Sequence, residues 1–396
     1  IESVPPGQPL QFSFAGAVEK LPEVKSIFFT SSRKDNLESV ILDAVQRRLL
    51  ADVPVGTFLS GGLDSSLISA MARQFKPSLK TFSLGFEDSK FDESPFAEIV
   101  ANHIKSDHTT FKISTELLVD AAKEFPKHID QPFGDSSALA TGLLCEQTSK
   151  HVKVALSGDG ADELFAGYNK HRVFSLMQQP IKQLIPPPSL TKSIPGLSAE
   201  LIKKMAKLHG LKQLNNQRVY DSMRAWVDDD LLSRWVDSYS PSNLPNVGNF
   251  EQQLLEDQNK VLQNDMLVKV DRMSMLHGLE VRVPFLDSEV VGHARSLKKR
   301  DLIDGRKTKL PLRNIALKWL PKEILNRPKK GFEVPLSGIL RHGLKDEMEE
   351  LLQHSDVSFM NLKQIKKDWE PFLANEKGNP YAFWFIYVLL SWKKYH

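Results

Sequence analysis

The chain has 396 residues, 41% of them hydrophobic and 26% charged, so it carries material for a core and is excluded from the disordered class. Lysine and arginine outnumber aspartate and glutamate by only 52 to 49, a balance with no polybasic field and no charge-based case for nucleic acid or an anionic membrane. A single cysteine, Cys145, excludes an internal disulfide and a Cys-rich zinc site. With an N-terminus lacking the charged and apolar regions of a signal peptide, it fits a reducing, cytoplasmic setting. The length predicts one large domain with elaborations or two unequal ones.

Residues 1 to about 35 hold Pro5-Pro6-Gly7, the alternation Gln11-Phe12-Ser13-Phe14 and Ser31-Ser32, which read as a strand or two and a linker. Asn36 then caps a helical pattern in which Leu37, Val40, Ile41, Ala44 and Leu49 share a face, with Arg47 and Arg48 opposite. From there the pattern alternates. An apolar run Val55 to Leu59 precedes a helix from Ser65 to Gln74. A run Thr81 to Leu84 precedes a helix opened by Ser94-Pro95. A short strand Thr110 to Ile113 and two helical stretches lead to the run Val152 to Leu156. Such βα alternation predicts an α/β fold, a parallel sheet flanked by helices on both faces.

Beyond Tyr168 strand signals are sparse, and periodic stretches around Glu251 to Leu276, Leu310 to Leu320 and Tyr381 to Trp392 predict a mostly helical C-terminal annex. The proline-rich patch from Pro180 through Pro186-Pro187-Pro188 to Pro195 reads as a surface connection. The most apolar run, Tyr381 to Leu390 with Trp392, is shorter than the roughly 20 residues a spanning helix needs and reads as a buried helix.

Ligands of open α/β sheets sit at the carboxyl ends of strands, so the loops there carry the chemistry. The first is Ser60-Gly61-Gly62-Leu63-Asp64-Ser65-Ser66, between a strand and a helix. Its glycines allow close backbone approach, the helix start offers N–H groups, and the serines add hydroxyls, together an anion cradle suited to phosphate. It lacks the Gly-Lys-Ser/Thr ending of a Walker loop and the dinucleotide spacing. The second is Ser157-Gly158-Asp159-Gly160-Ala161-Asp162-Glu163-Leu164-Phe165-Ala166-Gly167-Tyr168, with three acids within five residues. Such crowded acids call for a cation, and Asp64 with Asp162 suits Mg²⁺ held against phosphate oxygens.

These residues resemble the synthetase domain of glutamine-hydrolysing asparagine synthetases, of the ATP-pyrophosphatase (PP-loop) superfamily. Ser60 to Ser66 resembles the family's pyrophosphate loop and Ser157 to Tyr168 its second signature. Lys269-Val270-Asp271-Arg272-Met273-Ser274-Met275 with Leu279-Glu280-Val281-Arg282-Val283-Pro284-Phe285-Leu286-Asp287 resembles the third, and Arg327-Pro328-Lys329-Lys330-Gly331-Phe332 the fourth. The resemblance runs from about residue 36 to the C-terminus and implies an adenine nucleotide alpha-hydrolase-like fold over 36–396.

The resemblance also implies that ATP is bound through Leu59, Leu84 and the Ser157-Gly158 backbone at its adenosine part. Ser60, Gly61, Gly62, Ser65 and Ser66 would hold its pyrophosphate. Asp64 and Asp162 are the implied Mg²⁺ ligands, Asp159 the acid needed to form an aspartyl-adenylate, Lys329 an active-site lysine, and Tyr168 a residue of the substrate pocket. The implied reaction converts L-aspartate, ATP and ammonia to asparagine, AMP and pyrophosphate, and the resemblance allows a homodimer. Residues 1–35 resemble the last strands and linker of a glutaminase domain, so the sequence is expected to be a fragment of a longer protein. Where many relatives carry glutamate, this chain has Asp159.

Other readings of the same residues are a β-lactam synthetase-like or other amide former adenylating a different carboxylate, or an ATP-binding regulatory subunit without turnover. Elsewhere, Asp265 and Lys269 read as an exposed pair four residues apart, and Arg282 as a core-edge charge paired with Asp287, both supporting the site rather than acting in it. Cys145 reads as a buried small hydrophobe, and the histidines show no metal-ligand spacing.

Overall fold

A computed structural model describes residues 10–12, 18–20, 36–192, 197–212, 214–240, 247–305, 307–327, 331 and 333–396. Two short strands, β1 (Leu10–Phe12) and β2 (Val18–Lys20), pair antiparallel ahead of the main body. Ser31-Ser32 lies outside the described residues.

The first helix, α1 (Leu37–Arg48), starts where the sequence predicts. The Asn36 side chain accepts the Glu38 N–H, satisfying one of the orphan donors of a helix start, and Leu37, Val40, Ile41 and Ala44 are buried. Arg47 and Arg48 end it, their cations favourably placed against the helix dipole.

Four strands then alternate with helices: β3 (Val55–Phe58), α2 (Leu63–Phe75), β4 (Lys80–Phe86), α3 (Ser94–Ile104), β5 (Asp107–Ile113), α4 (Thr115–Glu124), α5 (Ser137–Ser149) and β6 (Val154–Leu156). A fifth strand, β7 (Glu280–Arg282), completes a wholly parallel sheet in the order β5-β4-β3-β6-β7. Helices cover both faces, as parallel strands require. Val55, Val154 and Leu156 join the core under α1 and α2, while Phe82, Leu84, Phe86 and Ala155 join the opposite core with α4, α5 and the C-terminal helix Pro380–Tyr395.

The strand β7 is not apparent in the sequence. It is three residues long and holds two charges, so it has neither the length nor the apolar pattern of its neighbours. Register is set by β6, with Val154, Ala155 and Leu156 opposite Glu280, Val281 and Arg282. The structure also corrects the expected Arg282–Asp287 pair. Arg282 donates to Glu280 Oε1 at 2.6 Å and to the carbonyls of Arg48 and Leu50 at 2.9 and 2.7 Å, whereas Asp287 takes Arg48 at 2.8 Å and Arg47 at 3.1 Å. The end of α1 lies between them, so each side chain finds a partner there first.

Apart from β7, the described residues beyond β6 are mostly helical, as expected. Phe250–Glu256 continues through a π-helical run, Asp257–Met266, into Leu267–Met275. The run 381–392 is a buried helix, and no helix among the described residues is long and apolar enough to cross a membrane. Phe383 is fully buried there, its ring 4.8, 5.0 and 5.1 Å from those of Phe372, Trp369 and Trp235. Phe383→Ala is expected to destabilise the chain by about 3–5 kcal/mol in urea unfolding, since a close-packed aromatic cluster cannot collapse around the void.

Candidate functional site

Strand order fixes where a ligand can sit. From β3 the chain runs outward through β4 to β5, then returns to place β6 on the other side of β3, so the crevice between the β3 and β6 ends is the topological switch point. The two sequence loops emerge there, at the mouth of a cavity of about 440 Å³.

The first loop is pre-shaped. Gly61 has φ +69°, and a Cβ there would lie 2.5 Å from the Phe96 backbone, so position 61 admits only glycine. The Ser60 and Ser65 hydroxyls are 2.9 Å apart, and the Gly62 N–H donates to Ser60 Oγ at 3.2 Å. α2 begins at Leu63, two residues earlier than predicted, which puts Asp64 in its first turn with N–H groups that have no intrahelical acceptor. Arg327, itself on the cavity lining, braces the loop: it pairs with Glu93, stacks 4.2 Å over the Phe96 ring and donates to the Ser60 carbonyl at 3.4 Å.

The second loop turns at Gly160, φ +83°, into a short helix α6 (Ala161–Leu164) and ends at Tyr168, before α7 (Asn169–Met177). Asp64 from the first loop and Asp162 from the second converge on one side chain, Lys309. Its Nζ is 2.5 Å from Asp64 Oδ2 and 2.7 Å from Asp162 Oδ1. Burial alone would lower the Lys309 pKa, but the charges of Asp162 and Asp64 outweigh it and hold the ammonium above the ordinary lysine range. Any side chain at position 167 would run into Asp162 Oδ1 and Lys309 Cε, which explains Gly167.

Sequence reasoning missed Lys309. The available signal was a lysine directly before Leu310-Pro311 at a helix start, where the dipole disfavours a cation and another reason is needed for it. Two carboxylates sharing a cation, on a wall open to the cavity, are a donor set that fits Mg²⁺, which takes one or two protein carboxylates and leaves positions for phosphate and water. Among the described residues no three His, Cys, Asp or Glu side chains gather as a closed metal cage.

Of the other sequence-derived candidates, Leu59, Ser60, Gly62, Ser65, Leu84, Ser157, Gly158, Asp159 and Tyr168 line the cavity. Gly61 and Ser66 do not, Ser66 being wholly buried in α2 behind it. Lys329 lies outside the described residues. Tyr168 donates to Glu163 Oε1 at 2.5 Å, and burial together with the Asp162 charge pushes the Glu163 carboxyl up to about 7.

Lys269 is not the exposed partner of Asp265. It is buried and donates to Asp135 Oδ2 at 3.0 Å and Ser137 Oγ at 2.9 Å, putting a cation on the same wall as Asp159. A pattern four residues apart cannot distinguish a solvent pair from a buried one reaching another helix. Cys145 is buried as expected, and burial pushes its thiol up to about 12.

Comparison with known proteins places the chain among relatives of one kind. The chain is 32% identical over 378 residues to asparagine synthetase (glutamine-hydrolyzing) 1 of Bacillus subtilis, covering 90% of this chain and 58% of that protein. It is 29% identical over 413 residues to asparagine synthetase (glutamine-hydrolyzing) 3 of the same organism, covering 97% and 62%, and 27% identical over 347 residues to amidase chyE of Penicillium rubens, covering 74% and 51%. The chain thus spans between half and two thirds of the length of these relatives. The family model of asparagine synthase matches residues 36–394, nearly the whole of the α/β body and its helical annex, and the chain belongs to the asparagine synthase family.

Proposed function

We propose that this chain is an AMP-forming amide ligase that converts L-aspartate to L-asparagine through a β-aspartyl-AMP intermediate, in the cytoplasm, with ammonia as the nitrogen donor. The observation that carries the reading is the convergence of Asp64 and Asp162, from the two loops at the switch point, on one cation beside a serine- and glycine-lined cradle. In the relatives named for glutamine hydrolysis, ammonia comes from glutamine. We take residues 1–35 here as the junction to such a glutaminase portion and 36–396 as the synthetase domain.

A carboxylate resists ammonia because it is resonance-stabilised and has no adequate leaving group. Attack of the aspartate side-chain carboxylate on the α-phosphorus of ATP forms the acyl–phosphate bond and breaks the bond to pyrophosphate. Ammonia then forms the amide bond, and AMP leaves. The N–H groups and hydroxyls of the Ser60–Ser65 segment face the departing pyrophosphate, where charge accumulates. Mg²⁺, when bound, would supply positive charge to offset that on the phosphate oxygens. Asp64 and Asp162 would hold it, and the Lys309 ammonium beside them adds a protein cation to the same corner of the cavity. Leu59 and Leu84 offer an apolar wall to adenine, and Asp159 faces the reacting carboxylate. Lys329 is proposed to stabilise the oxyanion formed when ammonia adds.

The primary test combines the chain, Mg-ATP, ammonium and L-aspartate and follows AMP, pyrophosphate and asparagine. Equimolar formation of all three is expected, and Asp162→Asn should lower the rate at least 100-fold, an order typical for removal of a group that stabilises transition-state charge. Products appearing only with another carboxylate would replace aspartate as the acceptor, a reading to which the similarity to an amidase gives some weight. ATP binding without AMP formation from any carboxylate would leave a regulatory nucleotide-binding protein.

Two further outcomes are expected. Lys309→Met leaves a pair of facing carboxylates without their ammonium, so chemical unfolding without Mg²⁺ should show a loss of about 3–5 kcal/mol, partly restored by millimolar Mg²⁺. Glu163 is held protonated in the folded state up to about pH 7, whereas the unfolded group ionises near its ordinary value of 4.5. The native state therefore binds more protons between those values, and stability falls as pH rises through that window. Glu163→Gln removes this dependence, so the variant should gain stability relative to the parent at pH 8 but not at pH 4.

A further inference from the structure

A buried polar network stands behind the second loop, off the cavity wall. Its centre is Asp257, wholly buried at the first position of the π-helical run. The carboxylate accepts from Lys170 Nζ at 2.7 Å, His171 Nε2 at 2.7 Å and Tyr220 Oη at 3.0 Å. The partners fix the tautomer of His171: the Tyr168 N–H donates to Nδ1 at 3.3 Å, so the ring proton sits on Nε2 and is given to Asp257. Burial lowers the imidazole pKa below its ordinary value, which keeps the ring neutral and Nδ1 an acceptor.

Two other arms reach the same segment. Lys170 Nζ, held by Asp257, lies 4.8 Å from the centre of the Tyr168 ring. Gln258, the next residue of the run, donates Nε2–H to the Glu163 carbonyl at 3.2 Å. One π-helical turn thus grips the second loop at Glu163 and at Tyr168, directly beyond Asp162. Such turns recur at functional sites because they redirect side chains within a helix. For packing alone, apolar residues of equal volume would serve as well as a buried carboxylate, so a buried charge that orients neighbours is the more economical account of Asp257.

We propose that Asp257 is a positioning residue that, through neutral His171 and through Lys170, fixes the segment from Asp162 to Tyr168 and so sets the geometry at which Asp162 meets Mg²⁺ beside Asp64. Its effect on turnover rests on the ligase reading above; its effect on Mg²⁺-dependent ATP binding does not.

The test is calorimetric titration of Mg²⁺ into the chain with ATP, alongside pyrophosphate release, for the parent, Asp257→Asn, His171→Gln and Tyr220→Phe. His171→Gln keeps a donor for Asp257 but loses the acceptor for Tyr168, and Tyr220→Phe removes a bond to the same carboxylate that does not lead to the loop. Asp257→Asn and His171→Gln are expected to raise the half-saturating Mg²⁺ concentration about tenfold and lower kcat about 10–100-fold with KM for the carboxylate nearly unchanged. Tyr220→Phe should lower Tm but leave the Mg²⁺ requirement as in the parent. A folded Asp257→Asn with the parent's Mg²⁺ requirement overturns the proposal, as does a Tyr220→Phe that shifts it equally. Should Asp257→Asn fail to fold, His171→Gln decides on the same readings. A parent that binds Mg-ATP but releases no pyrophosphate with any carboxylate removes the ligase reading, and the titration still decides the role of Asp257.

Discussion

The site depends on how two negative charges from separate loops come to share one buried position. Asp64 and Asp162 lie close enough to repel strongly, and the Lys309 ammonium between them converts that repulsion into an attachment joining three segments: the start of α2, the turn after β6, and the start of the helix Leu310–Trp319. In a low-dielectric setting such a triad has much to lose if any member is displaced. The glycine at position 167 and the left-handed backbone at Lys309 itself, φ 54°, are local concessions to that convergence.

Around this centre the fold supplies stiffness in layers. The parallel sheet sets the two loops side by side, α3 and Arg327 brace the first loop, and the network around Asp257 braces the second. The annex takes part in both sides, since Lys309, Arg327 and Asp257 all lie beyond β6 in the chain. Neither the α/β half nor the annex supplies by itself all the residues that line the cavity, and the family match spans both, from residue 36 to 394.

Much of this was legible in the sequence. The βα alternation, the Asn36 cap and the two glycine-bent loops are local signals, set by nearest neighbours and helix or strand period, and they appear in the structure within a few residues. What was not legible depends on distant partners. Glu280–Arg282 becomes a strand because β6 offers an unpaired edge, Lys269 is buried because Asp135 receives it, and Lys309 becomes central because two remote carboxylates need it. Arg282 and Asp287, five residues apart, do not pair because the end of α1 intervenes. Short-range pattern specifies elements, whereas the destination of a charged side chain is settled by tertiary geometry.

The late arrival of β7 has a consequence for how the protein is made. The sheet partner of β6 is synthesised roughly 120 residues after it. At ribosomal rates of about 5–20 residues per second that is an interval of some 6–24 seconds. Throughout it Val154, Ala155 and Leu156 present an apolar strand edge with unpaired backbone groups, the kind of surface on which nascent chains adhere to one another. Growth of the polypeptide therefore passes through a vulnerable stage that ends only when the annex returns to the sheet, and with it come the residues that complete the site.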